Sequence, residues 1–109
     1  MRPLTIVHTE ASLGWGGQEI RILSESQGLA RRGHRLTVLC APQSRIFSEA
    51  AQWGVPAVSL PIAAKRFAGL RALADWLRAN PCDLINTHSS TDSWLAAIAT
   101  RIGRPVPSV

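Results

Sequence analysis

"LTIVHTEASLGWGGQEIRIL", residues 4–23, is the stretch whose reading decides the fold. It opens with "LTIVHT" (4–9), short, apolar and rich in β-branched side chains, the composition of a buried strand. It ends inside a helical pattern, "QEIRILSESQGLARRG" (18–33), with Ile20, Ile22, Leu23, Leu29 and Ala30 on one broad face. Arg31, Arg32 and Gly33 close that helix, cations at the negative end of its dipole and glycine as cap. Between strand and helix lies Gly14-Trp15-Gly16-Gly17. Glycine loses more conformational freedom on ordering than any other residue, so a cluster at this junction serves either a tight turn or a ligand.

Working outward, the same alternation recurs. "RLTVLC" (35–40) reads as a second strand, and Ser44 can cap a helix over 45–54 that closes on Gly54. "VPAVSL" (55–60) is a third strand, with Pro56 confined to its start or to an edge. A helix over 70–81 carries Leu70, Leu73 and Leu77 and stops at Pro81; "DLINTH" (83–88) is a fourth strand. A fourth helix over 89–103 has Ser or Thr caps and a glycine stop, and "VPSV" (106–109) starts a fifth strand. The pattern is β-α four times, then a strand cut short. Such alternation with short links implies an α/β fold: a doubly wound, Rossmann-like parallel sheet covered on both faces. Continuously apolar strands fit that double coverage. The 109 residues suffice for one domain, expected to be the opening part of a longer one.

Composition narrows the partners. Twelve Lys plus Arg against seven Asp plus Glu give a net charge of +5, and eleven of the twelve cations are arginine. That excess suits phosphate contact. The arginines are scattered and no aromatic platform interleaves with them, so nucleic-acid binding is not expected. His8 and Glu10 interrupt the first apolar run before it could serve as a signal peptide, and no run approaches the length of a membrane span. Cys40 and Cys82 show no metal spacing and fall at opposite edges of the expected sheet. Free thiols, a cytoplasmic setting and no metal or other cofactor follow as expectations.

Ligands of open parallel sheets bind beyond the carboxyl ends of the strands. Here those ends carry His8 to Gly17 and "THSSTDSW" (87–94), which meet if the first and fourth strands are neighbours. The glycine loop lacks the Gly-Lys-Ser/Thr of a P-loop, and Glu19 stands where a dinucleotide fingerprint needs its third glycine. What survives is a helix N-terminus whose amides favour an anion, against the alternative of a plain turn. Trp15 either packs beneath the loop or stacks on a sugar, and Glu19 is placed to cap its own helix. His88, read as the last residue of the fourth strand, is the candidate for chemistry, because capping needs no imidazole. Ser89, Ser90, Thr91 and Asp92 suit helix capping; with Trp15, Ser89 and Ser90 are also the candidate acceptor or sugar contacts. His34, in a surface turn, reads as structural, and His8 as packed. The stretch 63–79 places Lys65, Arg66, Arg71 and Arg78 around Phe67, Leu70, Trp76 and Leu77. It reads as a core-facing helix or as one lying on an anionic membrane surface.

"GWGGQE", "RGHRLTVLC", "GVPAVSLP" and "DLINTHSSTDSW", in this order and spacing, resemble family 4 glycosyltransferases. The likeness covers the whole chain, as the first half or more of the N-terminal domain of a GT-B enzyme. It implies that residues 1–109 belong to the acceptor-side domain, facing a C-terminal donor-binding domain across a cleft. It implies a retaining transfer of sugar from a nucleotide-diphosphate donor to a glycan or lipid-linked acceptor, in surface polysaccharide or lipopolysaccharide synthesis. Gly16 and Gly17 match the loop that approaches the donor diphosphate, and His88 the histidine beside the transferred sugar. Arg66 and Arg71, next to Phe67, fall in the region some members use at membranes, which would put the protein on the inner face of the cell membrane. The Glu-x7-Glu pair that binds donor ribose and phosphate has no counterpart here, so this stretch alone is expected to be inactive. A stand-alone flavodoxin-like module binding a phosphorylated ligand is the alternative.

Overall fold

The computed structural model describes residues 3–11, 13–63, 67–88 and 94–99. Four strands, β1 (Thr5–Glu10), β2 (Arg35–Cys40), β3 (Ala57–Ser59) and β4 (Leu84–Thr87), form one parallel sheet in the order β3-β2-β1-β4. Between them run α1 (Gly17–Arg31), α2 (Arg45–Ala50) with a 3₁₀ turn at Ala51–Trp53, and α3 (Phe67–Ala79). Residues 94–99 are helical. The expected fifth strand, and most of the fourth helix, lie outside the described residues.

Each face of the sheet has its own core, and the period of two along each strand divides the side chains between them. On one face Val38 and Cys40 of β2 pack with Ile22 and Leu23 of α1, Ile46 and Ala50 of α2, and Val55. On the other, Val7, Leu39 and Ile85 meet Leu73, Ala74 and Leu77 of α3 and Leu95, Ala96 and Ala99. Fully burying an aliphatic side chain of this size contributes about 1.5–3 kcal/mol. The intrahelical ion pairs Arg21–Glu25, Arg71–Asp75 and Arg78–Asp75, at 3.4–3.7 Å, lie between exposed side chains and contribute little beside that.

Several boundaries move. The helix over 45–54 ends in a 3₁₀ turn, closed by Gly54 at φ 69°, a left-handed conformation that favours glycine. β3 shrinks to three residues because the chain enters it from Pro56, which has no amide hydrogen to give the ladder. The third helix starts at Phe67, earlier than Leu70, and ends at Ala79. Ile20 and Ala30 are exposed, off the stripe formed by Glu19, Ile22, Leu23 and Ser26. Trp76 packs against the α3-side core, whereas Phe67 is 74% exposed. Both cysteines are free thiols, Cys40 at the carboxyl end of β2 and Cys82 just before β4.

Gly69 and Gly28 are helical glycines of opposite character. A Cβ on Gly69 would sit 2.3 Å from the carbonyl oxygen of Pro61, a backbone atom that cannot swing aside; a Cβ on Gly28 meets nothing within 4 Å. Gly69→Ala is therefore expected to lower stability by about 1–3 kcal/mol despite alanine's better helix propensity. Gly28→Ala should raise it by roughly 0.5–1 kcal/mol. Urea midpoints of the two variants check this, and a gain in both would refute the close approach of α3 to Pro61.

Candidate functional site

The pairing of β1 with β4 creates the site. His8 lies opposite Asn86 and Thr9 opposite Thr87, so strand alternation carries His8, Glu10 and, just past the end of β4, His88 to the α1 face. β4 ends at Thr87, one residue short of the expected boundary, so His88 lies just past its end. His8 Nδ1 and His88 Nε2 are 2.9 Å apart, and the rings lie nearly parallel with centroids 5.2 Å apart.

The start of α1 is tied to the same place. The Gln18 amide donates to Glu10 Oε1 and, at 3.0 Å, to the backbone carbonyl of His88. One nitrogen thus clamps the ends of β1 and β4 to the first turn of the helix, using both of its hydrogens. Gln18 itself is exposed, whereas Glu10 is fully buried.

The glycine loop is part turn and part exposed amide. Gly16 caps α1, and its N–H donates to Glu19 Oε2 at 3.0 Å, so Glu19 caps its own helix as expected. That bond occupies the Gly16 amide. Gly17 opens the helix, where the first amides have no partner within it, and a Cβ there would meet nothing within 4 Å. Trp15 is half-buried against the α1-side core, with the Arg45 guanidinium 5.7 Å from its ring centre. Packing is therefore its observed role.

His34 is structural, its Nδ1 accepting from the Leu4 amide at 3.0 Å. Arg71 is exposed and paired with Asp75 at 3.5 Å. Ser89, Ser90 and Arg66 lie outside the described residues. A hollow of about 430 Å³ opens at the opposite, amino end of β2 and β3, lined by Ser26, His34, Arg35, Val55 and Pro56 among others. The His8, Glu10 and His88 side chains lie instead at the carboxyl ends of β1 and β4.

The sequence places His8 to Gly17 at the strand end but reads His8 as packed and singles out neither Glu10 nor Gln18. Had alternation been applied to the first strand, with the fourth as its neighbour, His8 and Glu10 would have fallen on the face of His88. Gln18 carries no such signal, because its two acceptors come from different strands.

Burial, helped by the neighbouring His88, pushes the His8 pKa down from 6.5 to about 4. The native state therefore holds His8 neutral, while the unfolded chain binds a proton below about pH 6.5. Stability from this group is complete above pH 6.5 and is lost as pH falls toward 4, by up to about 3 kcal/mol. His8→Leu should flatten the fall in urea midpoint between pH 7 and 4.5 relative to wild type. An unchanged slope would show that His8 charges as readily in the fold as outside it.

Four chains of solved structure match this one. A glycosyltransferase from Rickettsia africae ESF-5 superposes with a TM-score of 0.78 at 15% identity, covering 99% of this chain and 29% of that one. Anabaena Alr3699/HepE in complex with UDP and glucose gives 0.72 at 20%, covering 96% and 28%. CalG4, the calicheamicin glycosyltransferase, gives 0.63 at 24%, covering 99% and 32%. The chain thus spans about a third or less of the length of these proteins, and at such identities the likeness establishes the GT-B N-terminal fold. No curated protein sequence matches. The Glycosyltransferase Family 4 model matches residues 15–109, from Trp15 in the glycine loop through the segment that follows β4, and on that match the chain belongs to Glycosyltransferase Family 4.

Proposed function

We propose that residues 1–109 form the acceptor-side, N-terminal portion of a retaining glycosyltransferase that takes its sugar from a nucleotide-diphosphate donor. The observation that carries the reading is the Gln18 clamp: it holds the amide-bearing start of α1 and His88 on one rim. A helix N-terminus favours an anion and an imidazole favours a hydroxyl, so the two together suit a diphosphate and the sugar attached to it. That one of the matching proteins is in complex with UDP and glucose supports a donor of this class.

In this reading the amide of Gly17 approaches the donor diphosphate, with that of Gly16 joining only when Glu19 lets go of it. His88 contacts the transferred sugar, and Trp15, Ser89 and Ser90 border the acceptor. A C-terminal domain that holds most of the donor forms the second wall facing this rim. The acceptor is a glycan or lipid carrier of surface polysaccharide or lipopolysaccharide assembly on the inner face of the cell membrane. Exposed Phe67, beside Arg66 and Arg71, supports an anionic membrane contact there.

The test uses the full-length polypeptide with UDP-glucose and other nucleotide-diphosphate sugars, scored by release of the nucleoside diphosphate. His88→Ala should lower kcat/KM at least about tenfold, the worth of one transition-state hydrogen bond. A His34→Ala variant, altered at the far end of the sheet, should keep its kcat/KM. Equal losses in the two would remove His88 from the site.

A further inference from the structure

We propose that His8 is a positioning residue: its Nδ1–H donates to His88 Nε2 and holds His88 as the neutral Nδ1–H tautomer. His88 then offers the sugar a hydrogen-bond donor rather than a charge. The second statement rests on the functional reading above; the first stands on the geometry alone.

A 2.9 Å contact between two imidazole nitrogens needs one donor and one acceptor. If His88 were the donor, the proton of neutral His8 would have to sit on its other nitrogen, Nε2. That atom is buried and has no hydrogen-bond partner among the described residues. An orphaned N–H is among the rarest features of protein interiors, and leaving a buried donor unsatisfied costs about 1–3 kcal/mol. An imidazole lone pair in the same place leaves no donor stranded. The proton of His8 is therefore assigned to Nδ1, and Nε2 of His88 accepts it.

The consequence reaches His88. Its imidazolium would carry hydrogens on both nitrogens, so its Nε2–H would confront the Nδ1–H of His8. Relief requires His8 to move its proton to the orphaned Nε2, at the cost just named. His8 takes up no proton itself near neutral pH, because burial disfavours its charged form. Among the described residues, the groups that β1, β2, β4 and the start of α1 bring to this face are acidic or neutral. β1 brings Glu10, bonded to Gln18; α1 brings Glu19, bonded to Gly16; and β4 brings Asn86. β2 brings Val38 and Cys40, whose thiol is pushed up to about 11 by burial and stays neutral.

The direct experiment is a long-range proton–nitrogen correlation spectrum of the full-length protein, ¹⁵N-labelled at histidine, near pH 7.5 without ligand. The expected pattern is a pyrrole-type Nδ1 and a pyridine-type Nε2 for His88, with a pyrrole-type Nδ1 for His8. A pyrrole-type Nε2 on His88 overturns the proposal whatever the protein's activity. His8→Asn, whose amide can set a donor close to the place of Nδ1, should preserve the His88 pattern, and His8→Leu should abolish it. With UDP-glucose as probe, His8→Leu should lower kcat/KM about tenfold and His8→Asn should recover most of it. Equal losses in the two variants would reduce His8 to a packing residue. Full turnover by His88→Ala would sink the role of His88 toward the sugar, with the tautomer still decided by the spectrum.

Discussion

The parallel pairing of β1 with β4 is the constraint on which the rest depends. Parallel neighbours need a crossover between them, and here the chain travels through α1, β2, α2, β3 and α3 before returning to the edge of β1. The return register sets His8 against Asn86 and Thr9 against Thr87. Because side chains alternate, a slip of one residue would turn His88 to the α3 face and take Ile85 out of the core it shares with α3. The two cores resist such a slip, since Ile85 is fully buried among Leu73, Leu77 and Leu95.

That same register places polar groups where a stability argument alone would place aliphatics. His8, Thr9 and Glu10 occupy the carboxyl half of the central strand, each almost fully buried. Buried polar groups are tolerable only when partnered, and here His88, beyond β4, meets His8 Nδ1 while Gln18, at the start of α1, donates to Glu10 Oε1. The amino half of β1 is held by a different device. Asp83 Oδ2 accepts from the Thr5 amide at 2.8 Å, the Thr5 carbonyl accepts from the Asp83 amide, and His34 takes the Leu4 amide. The strand is thus pinned by side chains at both ends, apolar in its middle, and chemically distinctive only at the rim.

Much of this was legible. β2 falls on its expected residues because "RLTVLC" is bounded by a glycine turn on one side and Pro42 on the other. The β-α order, the neighbouring first and fourth strands, the capping role of Glu19 and the structural role of His34 all follow from local pattern and sheet rules. Less legible was the length of β3, where Val58 and Leu60 suggested more ladder than the chain forms after Pro56. For the stretch 63–79 the pattern leaves two readings, and Trp76 follows the core-facing one by packing against the α3-side core. The polar cluster was hardest. Its members are eighty positions apart, and a glutamine contacting a backbone carbonyl leaves no periodicity to find.

A rim built this way locks the amide-bearing start of α1 to His88 through a single side-chain amide, as the proposed donor site requires. Hydrogen exchange in the full-length protein with and without UDP is the most direct test. The amides of Gly17 and Gln18 and those of Asn86 to His88 should slow together on binding. Protection at one strand end only, or in the hollow around 34–37 and 54–56 at the far side of the sheet, would contradict this.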